Sequence, residues 1–134
     1  MNKPESEVLS GCLRYLKSRK IYHWRNNVGA VRIAPGRFMS FGKKGSSDIL
    51  GILPGGRILC VECKASKNGR LSPEQKKFLS DVKELGALAL VVRGWWELDE
   101  ALREAGYAMN DIPLFQELYR CTKNINVEET KCDQ

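Results

Sequence analysis

The sequence predicts an α/β domain in which a central mixed β-sheet, carrying a β-hairpin, is flanked by helices. Three observations predict it. Apolar residues recur at helical spacing near the start; two β-rich runs meet across a Pro-Gly-Gly turn in the middle; a well-capped helix then leads into a nearly continuous apolar run, the pattern of a crossover to another strand. The 134 residues suit one domain with a sizeable core. We expect residues 1–122 to form it and 123–134 to be a polar tail.

From Pro4 to Lys20, Val8, Leu9, Cys12, Leu13 and Leu16 recur three and four apart behind a proline in the first turn, which predicts an amphipathic helix. At about 100° per residue Glu5 falls on its apolar side and Glu7 well away from it. An acid there also complements the helix dipole, so the position alone leaves its purpose open. "IYHWRNNVGAVRIAPGRF" predicts one or two strands interrupted at Asn26, Asn27 and Gly29, and "FMSFGKKGSS" a glycine-punctuated basic loop. "DILGIL" and "RILCVECKA" pair as a hairpin across "PGG".

"SKNGR" is a second basic loop. The helix after it has Ser72 as N-cap, Pro73 at N1, Gln75 at N3 and Gly86 as its stop, with Phe78, Leu79, Val82 and Leu85 as the expected buried stripe. "ALALVV" reads as an internal strand, "WWELDEALREAG" as a helix packing through Trp96, Leu98 and Leu102, and "IPLFQELYRC" as a last helical segment.

Composition narrows the function classes. Lys and Arg number 22 against 16 acids, a net +6 and a pI near 9.2, which favours phosphate or another anionic surface without requiring it. No apolar run is long enough for a membrane span, and the N-terminus lacks the pattern of a secretory signal, so we expect a cytoplasmic protein with no membrane partner. Five irregularly spaced cysteines fit a reducing compartment. Cys60 and Cys63 stand an odd number apart on a strand and would face opposite ways, which suits buried thiols better than zinc. His23 is the sole histidine and reads as structural, and no phosphate-binding glycine loop or dinucleotide fingerprint is present.

The chemistry-bearing stretch is "SSDILGILPGGRILCVECKASKNG". Residues two apart on a strand share a face, so Glu62 and Lys64 point together while Val61 and Cys63 point the other way. If Asp48 stands at the near end of the adjoining strand, its carboxylate converges with that of Glu62. Such a pair repels unless it is protonated or bridged by a cation, and oxygen ligands suit Mg²⁺ or Mn²⁺. A solvated charged hairpin has the same spacing. Lys43, Lys44, Lys67, Arg70 and Lys76 bracket the acids, Ser46, Ser47 and Ser72 add hydroxyl donors for phosphate, and Arg25 and Arg32 stand on the strands feeding the site. Gln75 is either a capping-box residue or a donor to the site.

Glu5 in a first helix, "WRNNVGA", "GSSDILGI", "VECKA", "GRLSPEQKKFL" and "GALALVV", in that order, resemble the VRR-Nuc family, the virus-type replication-repair nucleases of the PD-(D/E)xK superfamily. The resemblance covers residues 5 to about 93. It implies a restriction-endonuclease-like core and metal-dependent hydrolysis of DNA phosphodiesters. Asp48, Glu62 and the Cys63 backbone carbonyl would bind Mg²⁺ or Mn²⁺, with Glu5 reaching the metal through water; Lys64 would stand beside the attacking water and Gln75 beside the site. Ser47 stands where the superfamily's Pro-Asp label has proline, a mild departure because only the carboxylate touches metal.

A small nuclease gripping mostly phosphate would recognise shape, such as a flap or a Holliday-junction-like branch, more readily than base sequence. Two-fold pairing would suit a four-way substrate, and Trp95, Trp96, Phe115 and Tyr119 are candidates for a homodimer interface or, equally, for core. The rival readings are a non-catalytic nucleic-acid-binding module and an adaptor within a replication or recombination complex.

Overall fold

The computed structural model describes residues 2–107, and the expected last helix, Phe115, Tyr119, Cys121, Cys132 and the boundary at residue 122 lie outside them. Helix α1 (Glu5–Ser18) starts behind Pro4, whose carbonyl accepts from the Glu7 and Val8 amides. It buries Val8, Cys12, Tyr15 and Leu16, one stripe at helical spacing. Strand β1 (Tyr22–Arg25) follows, then β2 (Gly29–Ala34) and β3 (Arg37–Phe41), β4 (Ile49–Ile52), β5 (Ile58–Cys63), helix α2 (Pro73–Glu84), β6 (Leu88–Val92) and helix α3 (Trp95–Glu104).

The main sheet has the order β1-β4-β5-β6, with β1, β4 and β5 antiparallel and β6 parallel to β5 through the α2 crossover. This is the expected α/β plan of a mixed sheet, a hairpin and flanking helices. Leu59, Val61 and Cys63 of β5 and Ile49 of β4 join the α1 residues, Val92, Leu98 and Leu102 in one core. Tyr15 belongs there because its hydroxyl donates to Asp99 Oδ1 at 2.6 Å, so burial leaves no orphaned polar group.

Five expectations need correction. Residues 38–41 of the supposed basic loop belong to strand β3, and β2 and β3 form a separate two-stranded sheet. Strand β6 is an edge, not an internal strand: its run is apolar because α2 and α3 both pack on it, which covers its faces without a second neighbouring strand. Helix α2 buries no residue completely, since it lies alone over its side of the sheet; Phe78, Leu79 and Val82 are half-buried. Leu85 is 88% exposed because it is the C-cap, at the end of the packed segment. Trp96 stays largely exposed with Lys3 Nζ 5.5 Å from its ring centre, whereas Trp95 stacks on Tyr15 and packs against the core, so Trp95 is no free interface residue.

Candidate active site

The register of the β4–β5 hairpin builds the site. Ile49 pairs with Val61, so the residues just before and after, Asp48 and Glu62, stand opposite each other on the face away from the core. On the other side Arg25 pairs with Ile49, and the Asn26 amide donates to the Asp48 carbonyl at 2.8 Å. Asp48 is held twice, since its Oδ2 also accepts from the Cys63 amide at 2.8 Å. Glu62 is 1% exposed and Lys64 7%, and Lys64 Nζ lies 3.6 Å from Glu62 Oε1.

Gln75 caps its helix and touches Glu62 at the same time. Its Oε1 accepts from the Ser72 amide at 2.9 Å while Ser72 Oγ accepts from the Gln75 amide at 3.1 Å, a complete capping box. The side-chain Nε2 donates to Glu62 Oε1 at 2.7 Å. The orientation follows from chemistry: the acceptor end must meet an N–H and the donor end a carboxylate.

Glu62 Oε1 thus meets both Gln75 and Lys64, while Oε2 is buried with no donor. A buried carboxylate oxygen in that condition either carries a proton or meets a cation. Burial first, then the charge of Asp48, push the Glu62 carboxyl up to about 8 against the pull of Lys64, and the charge of Glu5 pushes the same way. The two acids therefore adjoin and repel when both are charged, an arrangement that a divalent ion relieves. Among the described residues no group of three or more His, Cys, Asp or Glu side chains forms a metal cluster. The donors that fit a cation are a carboxylate pair, which suits an ion retaining several waters.

Glu5 is exposed in the first turn of α1. It is brought toward the site because Ser66, two residues past Lys64, ties down the segment before α1: the Lys3 amide donates to Ser66 Oγ at 2.7 Å and the Ser66 amide to the Lys3 carbonyl at 3.0 Å. Cys63 faces the core, where a hydrogen bond with the Cys12 thiol, then burial, raise its thiol above the ordinary range. Cys12, Cys60 and Cys63 are all buried free thiols. His23 Nδ1 donates to the Ile21 carbonyl at 2.6 Å and lies away from the acids.

A cleft of about 280 Å³ opens onto Asp48 and Gln75, lined also by Arg25, Asn26, Lys44, Ser46 and Ser72. Lys43 is exposed nearby, and Lys44, also exposed, pairs with Glu74 at 3.3 Å. Lys67, Arg70 and Lys76 are exposed, and Arg32 stands on the separate β2–β3 sheet. Ser47 is a correction: it is 0% exposed and its hydroxyl has no partner, so it has no surface to offer a phosphate.

A family model described as VRR-NUC domain matches residues 9–96, about two-thirds of the chain. The chain belongs to the VRR-NUC family. That family is part of the PD-(D/E)xK nuclease superfamily, and membership supports a nuclease-like function and the divalent-metal dependence typical of it. The VRR-NUC match takes in Asp48, Glu62, Lys64 and Gln75, and Glu5 precedes it. No curated protein and no solved structure gives a match. Among the described residues no helix is long and apolar enough to cross a membrane.

Two residues missed in the sequence shape this VRR-NUC site. Asn26 Nδ2 donates to Ser46 Oγ at 2.7 Å and to the Ser47 carbonyl at 2.9 Å, fixing the approach to Asp48. Arg93 Nη1 and Nη2 donate to the Ala65 and Gly69 carbonyls at 2.5 and 2.7 Å, clamping the loop after Lys64. Arg93 lies 29 residues beyond Lys64, and no local spacing signals the contact. The Gly-x-x-Asp approach has a steric reason: Gly45 has φ +84°, and a Cβ there would lie 2.6 Å from the backbone of Glu74.

Proposed function

We propose that this chain is a Mg²⁺- or Mn²⁺-dependent endonuclease that hydrolyses phosphodiesters in structured or branched DNA, of flap or Holliday-junction-like form. The observation that carries this reading is buried Glu62, its Oε2 lacking any donor, set beside Lys64 and opposite Asp48, which opens onto a cleft also lined by Arg25 and Lys44. A non-catalytic binding module gains nothing from two adjoining acids next to phosphate.

In this reading Asp48, Glu62 and the Cys63 carbonyl hold the metal, and Glu5 reaches it through water. When bound, the ion supplies Lewis-acid stabilisation of the phosphate and acidifies an attacking water. Lys64, buried and held by Glu62, orients that water and faces the charge developing on the phosphate oxygens. Gln75 engages Glu62 Oε1, which leaves Oε2 as the oxygen that would hold a cation. Arg25, Lys43, Lys44, Lys67, Arg70 and Lys76 supply phosphate contacts, and Ser46 and Ser72 offer hydroxyls at the cleft. Cleavage of labelled linear, flap and four-way DNA with Mg²⁺, with Mn²⁺ and with neither is the direct test. Full activity of Glu62→Ala or Lys64→Ala would sink the assigned roles, and unchanged binding with no metal-dependent cleavage would favour the module.

A further inference from the structure

The β2–β3 sheet has no part in the chemistry above, yet it is built unlike a structural hairpin. A hairpin in a folded domain normally gives one face to the core. Here Val31, Met39 and Phe41 are 44%, 54% and 41% exposed on one face, and Phe38, beside Arg32 on the other, is 67% exposed. The register shift between Arg32 and Ala34 leaves Ile33 unpaired and 54% exposed near the tip.

Its root is fixed to the cleft. Phe41 pairs with Gly29, and its ring occupies the space where a Cβ on Gly29 would stand, 2.8 Å away. Gly42 sits at φ +71°, and a Cβ on it would lie 2.5 Å from the Asn27 carbonyl, so only glycine fits there; Asn27 and Val28 line the cleft. The Pro35–Gly36 turn therefore stands about 17 Å of extended strand from the rim of the candidate active site.

Charge identifies the occupant. From Val8 to Ser47 the chain has nine Lys or Arg residues and no Asp or Glu, and Arg25, Arg32, Arg37, Lys43 and Lys44 fall on the hairpin or its two ends. A second copy would bring the same positive charge to this face and be repelled. A polyanion with exposed apolar rings is the complement: aromatic and apolar side chains stack on or wedge between unpaired bases, while the cations hold the backbone. We propose that the β2–β3 hairpin is the arm that reads DNA structure, placing Phe38, Met39 and Ile33 against unstacked bases at a branch while the adjoining cleft holds the phosphate to be cut. This rests on the structured-DNA reading above and adds to it the element that recognises the branch.

The test uses the full chain in metal-free buffer, so that binding is separated from cleavage. Flap DNA carrying 5-iodouracil at the branch point is irradiated, and binding of flap and linear duplex is titrated for the native chain and for Phe38→Ser/Met39→Ser. We expect the cross-link on the peptide containing residues 33–41, and in the double variant a loss of roughly tenfold or more in flap affinity with linear-duplex affinity within about twofold. A cross-link confined to other peptides, equal flap affinities, or equal loss on flap and linear DNA would overturn the proposal. So would a native dimer that the double substitution dissociates, which would make this face a self-interface. The native cross-link stands as a readout even if the variant fails to fold. Native-like cleavage of flaps by a folded double variant sinks the arm and spares the nuclease; a branch cross-link with no cleavage under any metal does the reverse.

Discussion

The molecule contains two hairpins written in nearly the same local grammar and used in opposite ways. The β2–β3 and β4–β5 pairs both join apolar-rich strands across a turn with proline followed by positive-φ glycine. In β5 every residue from Leu59 to Cys63 is buried; in β3 every residue is exposed. Strands form from short-range pattern, but their burial depends on which helices reach them. Helices α1 and α3 cover one face of β5's sheet and α2 bears on the other, while β2 and β3 pair only with each other. A rigid, dry strand is where an acid can be held with a perturbed pKa, and an open strand is where a large partner can be met.

The sharpest way to break this contrast is at Glu62. Its replacement by Ala should lower cleavage by on the order of 10³-fold if the buried hairpin alone carries the chemistry, measured as single-turnover cutting of flap DNA with Mg²⁺. Comparable activity would mean that the chemistry lies elsewhere. Stability should divide the hairpins as well: Leu59→Ala is expected to cost about 2–5 kcal/mol in denaturant titration, whereas Val31→Ala or Phe38→Ser should stay within about 0.5 kcal/mol. A large loss from the exposed pair would show it packed in solution.

The pH dependence of the metal-free protein sharpens the account of β5. Because the folded Glu62 carboxyl is raised from 4.5 to about 8, the folded state holds a proton that the unfolded chain has released. This contribution is fully present below pH about 4.5 and is lost as pH rises through about 8. Melting midpoints taken across that window should fall with pH, and Glu62→Gln should flatten the slope. Added Mg²⁺ should recover stability most at the alkaline end, where the vacated proton leaves two carboxylates for the cation. A midpoint that rises across the window in the native chain alone would contradict a protonated Glu62.

Gln75 offers the smallest and most discriminating change. Gln75→Glu keeps an acceptor for the Ser72 amide but replaces the donor to Glu62 with a like charge, so the cap should survive while cutting falls by roughly tenfold or more. Gln75→Ala should cost about 1 kcal/mol from the lost cap as well. If both variants cut like the native chain, Gln75 is a cap alone.

Much of the fold was legible because its signals are local. The stripe of α1, the cap of α2 and the Pro-Gly-Gly turn each lie within a few residues, and the structure has the expected element at all three. The convergence of Asp48 with Glu62 was legible too, because a hairpin's register follows from its turn. Less could be read where contacts are distant. The apolar run of β6 suggested a central strand because two covering helices and two flanking strands leave the same mark on composition. Leu85 continued the periodicity of α2 past the point where the packed surface ends, and Arg93 reaches its loop from just beyond the end of β6.

By itself the sequence determined helices α1 and α2, the β4–β5 hairpin between them, the common face of Glu62 and Lys64, and the capping of α2, since these depend on spacings of two to four residues. Only the tertiary structure decided that β6 is an edge, that one hairpin is buried and the other bare, and that Glu62 Oε2 is enclosed without a donor. Those outcomes depend on which surfaces exclude water, and that is set by neighbours tens of residues away in the chain.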